Sequence, residues 1–266
     1  MSTAKLNGVE IAYSIHGEGE PFILIGGFTA TKEAWRYQIA GLSPRFRVIS
    51  FDNRGVGEST VPTAPFTIAD MAADTVGLMD SLGIEAAHVF GISMGGLIAQ
   101  VLALDYPQRV RKVALGCTTH GGRHAIQPEA EVMALLGKAA DSSIPAEKAI
   151  RMRIPILFAE RFIREETGKL EEFVQLSLRY SPTPQGAAGQ MRALSRFNVR
   201  DRLPEIRHRV LVITGSEDRM MPPENSKLLA QGIQGAELYE VEGAGHLFFQ
   251  EKPDEVNGVL IDFFGR

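Results

Sequence analysis

The feature that most constrains the fold of this chain is an alternation of short apolar runs with segments of helical periodicity. Buried strands are predicted at "PFILIGGF", "FRVISFD", "AAHVFGI", "VRKVALG" and "RVLVITG". Between them lie segments whose apolar residues recur every three or four positions, such as "TIADMAADTVGLMDSLG". Parallel sheets covered by helices on both faces have such strands. The sequence therefore predicts an α/β fold with a mostly parallel central sheet flanked by helices.

The alternation stops between residues 119 and 195. No convincing strand occurs there, and the helical segments are "EAEVMALLGKAA", "EKAIRMRIPILFAERFI" (interrupted by Pro155), "LEEFVQLSLRY" and "GAAGQMRALSRF". A length of 266 residues suits one domain that carries an insertion. We predict a core domain of residues 1–118 and 196–266, with a helical insertion at residues 119–195.

Charge and cysteine content exclude several classes of function. The formal net charge of -4 provides no basic surface for nucleic acid or for an anionic membrane. The single cysteine, Cys117, cannot form an internal disulfide, and no His/Cys cluster accompanies it, so no zinc site is predicted. We expect Cys117 to be a packed thiol at the end of a buried strand.

The first residues predict a β-hairpin rather than a signal peptide. Polar and apolar residues alternate around Asn7-Gly8, and no continuous apolar segment follows Lys5. No apolar stretch is long enough to span a bilayer. We expect a soluble, cytoplasmic protein whose partner is a small molecule, with neither nucleic acid nor membrane as a partner. The sequence leaves open whether it forms a homo-oligomer.

One serine stands at a junction of strand and helix. In "HVFGISMGGLIAQVLAL" a buried strand ends at Ser93 and an amphipathic helix follows at once. So sharp a turn brings the residues two before and two after the serine close to its backbone, which explains Gly91 and Gly95. The turn lifts the hydroxyl above the carboxyl edge of the sheet. It also places the amide of Met94 at a helix N-terminus, where unpaired N–H groups favour an oxyanion.

A serine hydroxyl needs a base to become a nucleophile, and the base needs an orienting carboxylate. Of the six histidines, His246 follows the last predicted strand, in the glycine-rich "VEGAGHLFFQEKP". Asp218 follows the preceding strand in "LVITGSEDRMMPP", and its neighbour Glu217 is a weaker candidate for the same role. All these strand ends lie at one edge of a parallel sheet. We predict Ser93 as nucleophile, His246 as base and Asp218 as orienting acid.

The loop after the first buried strand offers a second oxyanion donor. In "GGFTA" the amide of Phe28 is the candidate, and Gly27 allows a close backbone approach. The amides of Phe28 and Met94 would together bind the oxyanion of a tetrahedral intermediate. This chemistry requires no metal and no organic cofactor.

Five motifs together resemble the α/β-hydrolase fold family over essentially the whole chain. They are "GGF", "FDNRGVGEST", "GISMGG", "GSEDRMMP" and "GAGHLFFQEKP". The resemblance implies the same catalytic residues and oxyanion amides, and a cap or lid over the pocket at residues 119–195. Many relatives have His-Gly where this chain has Gly26-Gly27, so the support of that loop is left open. We expect Asp52 and Arg54 to pair with each other and to hold the "DNRGVGEST" loop beside the site.

The resemblance also limits which reactions of this fold family the chain is expected to catalyse. Haloalkane dehalogenases and epoxide hydrolases of this fold use aspartate where this chain has Ser93. Hydrolases of carbon–carbon bonds in meta-cleavage products often carry Trp after the catalytic histidine, where this chain has Leu247. We predict a serine hydrolase that cleaves a carboxylic ester or a lactone through an acyl-enzyme. The alternatives are a carbon–carbon bond hydrolase, a cofactor-free perhydrolase or haloperoxidase, and, in another class, a ligand-sensing receptor of the same fold.

Overall fold

Eight strands form one sheet in a computed structural model that describes residues 2–141 and 143–266. The strands are β1 (Ser2–Leu6), β2 (Val9–His16), β3 (Glu20–Ile25), β4 (Phe46–Phe51), β5 (Ala87–Ile92), β6 (Val110–Gly116), β7 (Arg209–Gly215) and β8 (Glu237–Val241). Their order is β1-β2-β4-β3-β5-β6-β7-β8. Strand β2 pairs antiparallel with both β1 and β4, and all the other neighbouring strands pair in parallel. The carboxyl ends of β3 to β8 therefore lie at one edge.

Eleven α-helices occur in the described residues. They are α1 (Arg36–Leu42), α2 (Ile68–Ser81), α3 (Met94–Asp105), α4 (Ala130–Ala139), α5 (Ala146–Leu157), α6 (Glu160–Glu165), α7 (Thr167–Arg179), α8 (Pro184–Ser195), α9 (Glu224–Gly232), α10 (Phe248–Glu251) and α11 (Pro253–Gly265). Thr67 caps α2, because its hydroxyl accepts from the amide of Asp70 while the Asp70 carboxylate accepts from the amide of Thr67.

The helices cover both faces of the sheet. One apolar cluster joins the sheet to α2, α3 and α9, and a second joins its other face to α1, α10 and α11. Strands buried on both faces must be apolar throughout, which is why they appear in the sequence as continuous runs. The fold class is the predicted one. The hairpin at Asn7-Gly8 is also confirmed, with both residues at positive φ.

Helices α4 to α8 lie between β6 and β7, and we call residues 130–195 the cap segment. A third apolar cluster holds α5, α6 and α7 together and includes Leu247 of the core. The domain boundaries at 118/119 and 195/196 stay a prediction. The expected interruption at Pro155 is wrong, since α5 continues through Pro155 to Leu157 and the break falls at Phe158 and Ala159. In the described residues, no helix combines the length and the apolarity needed to cross a membrane.

Candidate active site

Ser93 occupies a sharp corner between β5 and α3. Its backbone has φ 52° and ψ −117°, a region that non-glycine residues rarely adopt and that costs free energy to maintain. The backbone of Ser93 is held on both sides, because its amide donates to Gly116 O at 2.8 Å and its carbonyl accepts from Thr118 Oγ1 at 2.7 Å. The neighbouring strand β6 thus keeps the corner in its strained conformation.

Two glycines make this corner possible. A Cβ on Gly91 would lie 2.1 Å from the carbonyl oxygen of Gly95, and a Cβ on Gly95 would lie 2.0 Å from that of Ile25. Both separations are well inside van der Waals contact with backbone atoms, which cannot move aside easily. The spacing of the glycines around Ser93 therefore has the steric cause inferred from the sequence.

His246 and Asp218 form a buried hydrogen bond. Nδ1 of His246 lies 2.8 Å from Oδ2 of Asp218, and the two residues are 5% and 3% exposed. Asp218 also accepts from the amides of Met220 and Met221 at 2.9 and 2.7 Å, which fixes the orientation of its carboxylate. Burial opposes charge on the imidazole, but the Asp218 carboxylate outweighs it and raises the pKa of His246 above 6.5.

Cys117 lies beside two of the three candidate catalytic residues, His246 and Asp218. Its thiol is fully buried, and burial raises its pKa, which keeps it a neutral thiol. Ligating atoms of Cys117, Asp218 and His246 lie within 4.8 Å of one another, the one such group with metal-binding residue types in the described chain. The sequence indicated a packed thiol, which is correct, but did not indicate that it packs against the base.

The loop of residues 26–30, which we call the oxyanion loop, passes directly over Ser93. A Cβ on Gly27 would lie 3.2 Å from Cβ of Ser93 and 3.8 Å from its Oγ. Within residues 2–141 and 143–266, the amides of Phe28 and Met94 have no hydrogen-bond acceptor. The N–H groups of both predicted donors are therefore unused in the described structure.

Two side chains support the oxyanion loop in place of the histidine found in many relatives. Nδ2 of Asn53 donates to Gly26 O at 3.1 Å. Oε1 of Gln190, a fully buried residue of α8, accepts from the amide of Thr29 at 2.9 Å, and its Nε2 donates to Arg54 O at 3.0 Å. Sequence reasoning missed Gln190 because no local pattern links α8 to this loop.

The expected pairing of Asp52 with Arg54 is wrong. Asp52 accepts from the amide of Lys32 at 2.7 Å and from its Nζ at 3.1 Å. Arg54 forms a two-bond ion pair with Asp74 of α2, with both N···O distances at 2.6 Å. Both residues do hold the loop, but each pairs with a distant element: Asp52 with Lys32, and Arg54 with Asp74 of α2.

Glu251 ties the loop before His246 to the cap segment. Its carboxylate accepts from the amide of Gly245 at 2.9 Å and from that of Ala159 at 3.2 Å. The amide of Leu247 also donates to Leu157 O at 2.9 Å. Burial raises the pKa of Glu251 from 4.5 to about 7 even though both amides favour its charged form. Sequence reasoning missed this residue too.

The other candidates considered from the sequence lie elsewhere. Glu217 is exposed, and the base bonds to Asp218 instead. His88 is buried at the amino end of β5, where it bonds to Glu20 among phenylalanine rings. Burial lowers its pKa. A histidine at that end of the strand cannot reach Ser93 at the other.

Comparison with known proteins now gives the family. A family model described as "alpha/beta hydrolase fold" matches residues 20–253. The chain belongs to this family. The motifs quoted from the sequence all lie inside the matched range, so the resemblance inferred from them is confirmed.

Individual relatives carry several activities in their names. A putative carbamate hydrolase of Azorhizobium caulinodans is 32% identical over 100% of this chain and 99% of its own. A 2-hydroxy-6-oxo-6-phenylhexa-2,4-dienoate hydrolase of Comamonas testosteroni is 32% identical over 99% of this chain and 94% of its own. The crystal structure of an enol-lactonase from Burkholderia xenovorans has a TM-score of 0.88 at 30% identity and covers both chains fully. These relatives support a hydrolase, but their names differ in the bond that is cleaved.

Proposed function

We propose that the protein is a serine hydrolase that cleaves a carboxylic ester or a lactone through an acyl-enzyme. The observation that supports this most is the buried 2.8 Å hydrogen bond between His246 and Asp218, beside a serine in a strained corner. A strained backbone persists only where its surroundings enforce it, and such residues concentrate at functional sites.

In the first half-reaction Ser93 Oγ attacks the carbonyl carbon while His246 takes the hydroxyl proton. The Asp218 carboxylate accepts from Nδ1–H, which leaves Nε2 as the basic nitrogen and stabilises the imidazolium that forms. The amides of Phe28 and Met94 donate to the oxyanion. Removal of one such donor typically costs about 2.7–4 kcal/mol of transition-state stabilisation.

In the second half-reaction the imidazolium gives its proton to the leaving alkoxide. A water molecule then loses a proton to His246 and attacks the acyl-enzyme, which releases the acid and restores Ser93. A lactone follows the same course, except that its leaving alkoxide stays attached to the acyl group. His246 takes part in every proton transfer of the two half-reactions.

Turnover of p-nitrophenyl esters with acyl chains of two to eight carbons tests the proposal. We expect steady multiple turnover by the wild type. Ser93→Ala should lose about 10⁶-fold in kcat, the usual scale for a serine nucleophile, and should keep its folded structure by circular dichroism. The proposal is contradicted if the wild type hydrolyses none of these esters, or if Ser93→Ala keeps full activity. A single slow turnover with ligand-dependent stabilisation would instead indicate a sensor.

Carbamate hydrolysis is a second candidate. It is favoured by the 32% identity to the putative carbamate hydrolase of Azorhizobium caulinodans over the whole chain. The same residues would form a carbamoyl-enzyme with loss of the alkoxide, or a carbonate ester of Ser93 with loss of the amine, and in either case His246 would protonate the leaving group. Methyl carbamate and ethyl carbamate, assayed beside methyl and ethyl esters, distinguish the two candidates by their kcat/KM.

A further inference from the structure

Arg153 differs from every other arginine between residues 119 and 195. The others are exposed, and those of α5 and α6 pair with glutamates: Arg151 with Glu147 and Glu171, Arg161 with Glu165, and Arg164 with Glu160. Arg153 is partly buried. Its one hydrogen bond within the described residues runs from Nε to Ala149 O at 3.3 Å. No carboxylate of the described chain neutralises it.

The side chain of Arg153 lies in the buried face of α5. Its neighbours three and four positions away on the helix are Ala149, Ile150, Ile156 and Leu157, all of them buried or partly buried. The exposed face of α5 carries Glu147, Lys148, Arg151 and Pro155. Burial lowers the pKa of the Arg153 guanidinium, and no nearby acid opposes this effect. The partly buried guanidinium of Arg153 thus lacks an acidic partner, whereas the buried guanidinium of Arg54 has Asp74.

The buried face of α5 meets the loop that carries the base. Leu157 lies four residues after Arg153, about 6 Å along the helix axis, and its carbonyl accepts from the amide of Leu247 at 2.9 Å. Leu157 and Leu247 also share one apolar cluster. Since Leu247 directly follows His246, Arg153 stands one turn of helix from the catalytic loop.

We propose that Arg153 binds a carboxylate of the substrate, and that the natural substrates are esters or lactones that carry a free carboxylate. This inference rests on the proposed function. The Nη atoms of Arg153 have no hydrogen-bond partner within the described residues, and a guanidinium offers a carboxylate two parallel N–H donors. The bound substrate would supply the negative charge that the protein does not place there.

Matched ester pairs test the proposal. Monomethyl and dimethyl esters of succinate, glutarate, adipate and suberate differ in one carboxylate, and their hydrolysis is followed by titration of the released acid. We expect the wild type to prefer one or more of the monomethyl esters in kcat/KM. Arg153→Gln should reduce the ratio of monomethyl to dimethyl kcat/KM by about 10- to 100-fold, and Arg153→Lys should restore part of it.

Arg151→Gln is the control, because Arg151 lies on the exposed face of the same helix and should leave the ratio unchanged. A ratio that is equal in wild type and Arg153→Gln, or lost equally in Arg151→Gln, overturns the proposal. If no ester is hydrolysed at all, the esterase proposal fails by itself. Calorimetric binding of monomethyl and dimethyl adipate to Ser93→Ala, with and without Arg153→Gln, then decides the carboxylate site: equal affinity for both esters refutes it, and a preference that needs Arg153 supports it.

Discussion

The carboxyl edge of the sheet and the cap segment contribute to the site in different ways. At the edge, Ser93, Asp218 and His246 each follow a strand, and the backbone itself determines where they lie. In the cap segment, Gln190 and Arg153 occupy places that depend on which helix faces meet the core. In the proposed function, the edge would carry the chemistry of acyl transfer, and the cap segment would supply the contacts that select a substrate.

The largest effect should come from the edge. Asp218→Asn should reduce kcat by about 10⁴-fold, because the imidazole loses the carboxylate that orients it. In the wild type, His246 must be neutral to act as base, and its pKa lies above 6.5. The acid limb of kcat/KM should therefore have its midpoint above pH 6.5 and should move to lower pH in the variant. Full pH profiles of both proteins measure this.

Glu217→Gln is the matched control, because Glu217 is adjacent to Asp218 but exposed. Its profile should superimpose on that of the wild type. An acid limb that stays in place in Asp218→Asn would refute the assignment of Asp218.

The second prediction compares glycines of the two regions. Gly95→Ala at the edge would push a Cβ to 2.0 Å from a backbone oxygen. It should lower the free energy of unfolding by about 4 kcal/mol or more, the range of severe steric defects. Gly137→Ala on α4 meets nothing within 4 Å and should raise it by about 0.5–1 kcal/mol, since alanine favours the helix. Urea denaturation measures both, and similar values for the two would contradict the steric argument.

The smallest effect concerns Glu251, which joins the two regions. Its pKa is raised from 4.5 to about 7 in the folded protein, so the native state holds a proton that the unfolded chain has lost over this range. The free energy of unfolding should therefore fall as pH rises from about 4.5 to 7, by at most about 3 kcal/mol from this group. Glu251→Gln should remove that part of the slope.

Chemical denaturation at pH 5 and pH 8 gives the slope for wild type and variant. Glu131→Gln, a substitution of an exposed glutamate in α4, should keep the wild-type slope. Identical slopes in the wild type and Glu251→Gln would show that Glu251 does not titrate in this range.

The two regions also differ in how far the sequence predicts them. The corner at Ser93 was predictable because the glycines around it leave a pattern within five residues. Asp218 and His246 were predictable because each follows a recognisable buried strand, and parallel strands end at one edge. These are consequences of local backbone geometry, which the amino-acid sequence expresses directly.

The remaining residues depend on contacts between distant segments. Gln190 is 161 residues from Thr29, and Glu251 is 92 residues from Ala159. Asp52 and Arg54 were correctly read as structural but paired wrongly, because their partners Lys32 and Asp74 lie on other elements. The sequence alone does not distinguish the arginines of the insertion, and only the packing of α5 separates Arg153 from the rest.

The bonds between the cap segment and the loop of His246 have a consequence for substrate entry. The carbonyl of Leu157 accepts from the amide of Leu247, and the amide of Ala159 donates to Glu251. An outward movement of the cap segment at this point would therefore displace His246. In the proposed function, substrate and product would then have to pass another part of the cap segment. Helix α4 buries only Val132 among its residues. Displacing α4 would expose fewer buried side chains than displacing α5, which buries Ile150, Ile154 and Ile156, so we expect substrate to enter beside α4.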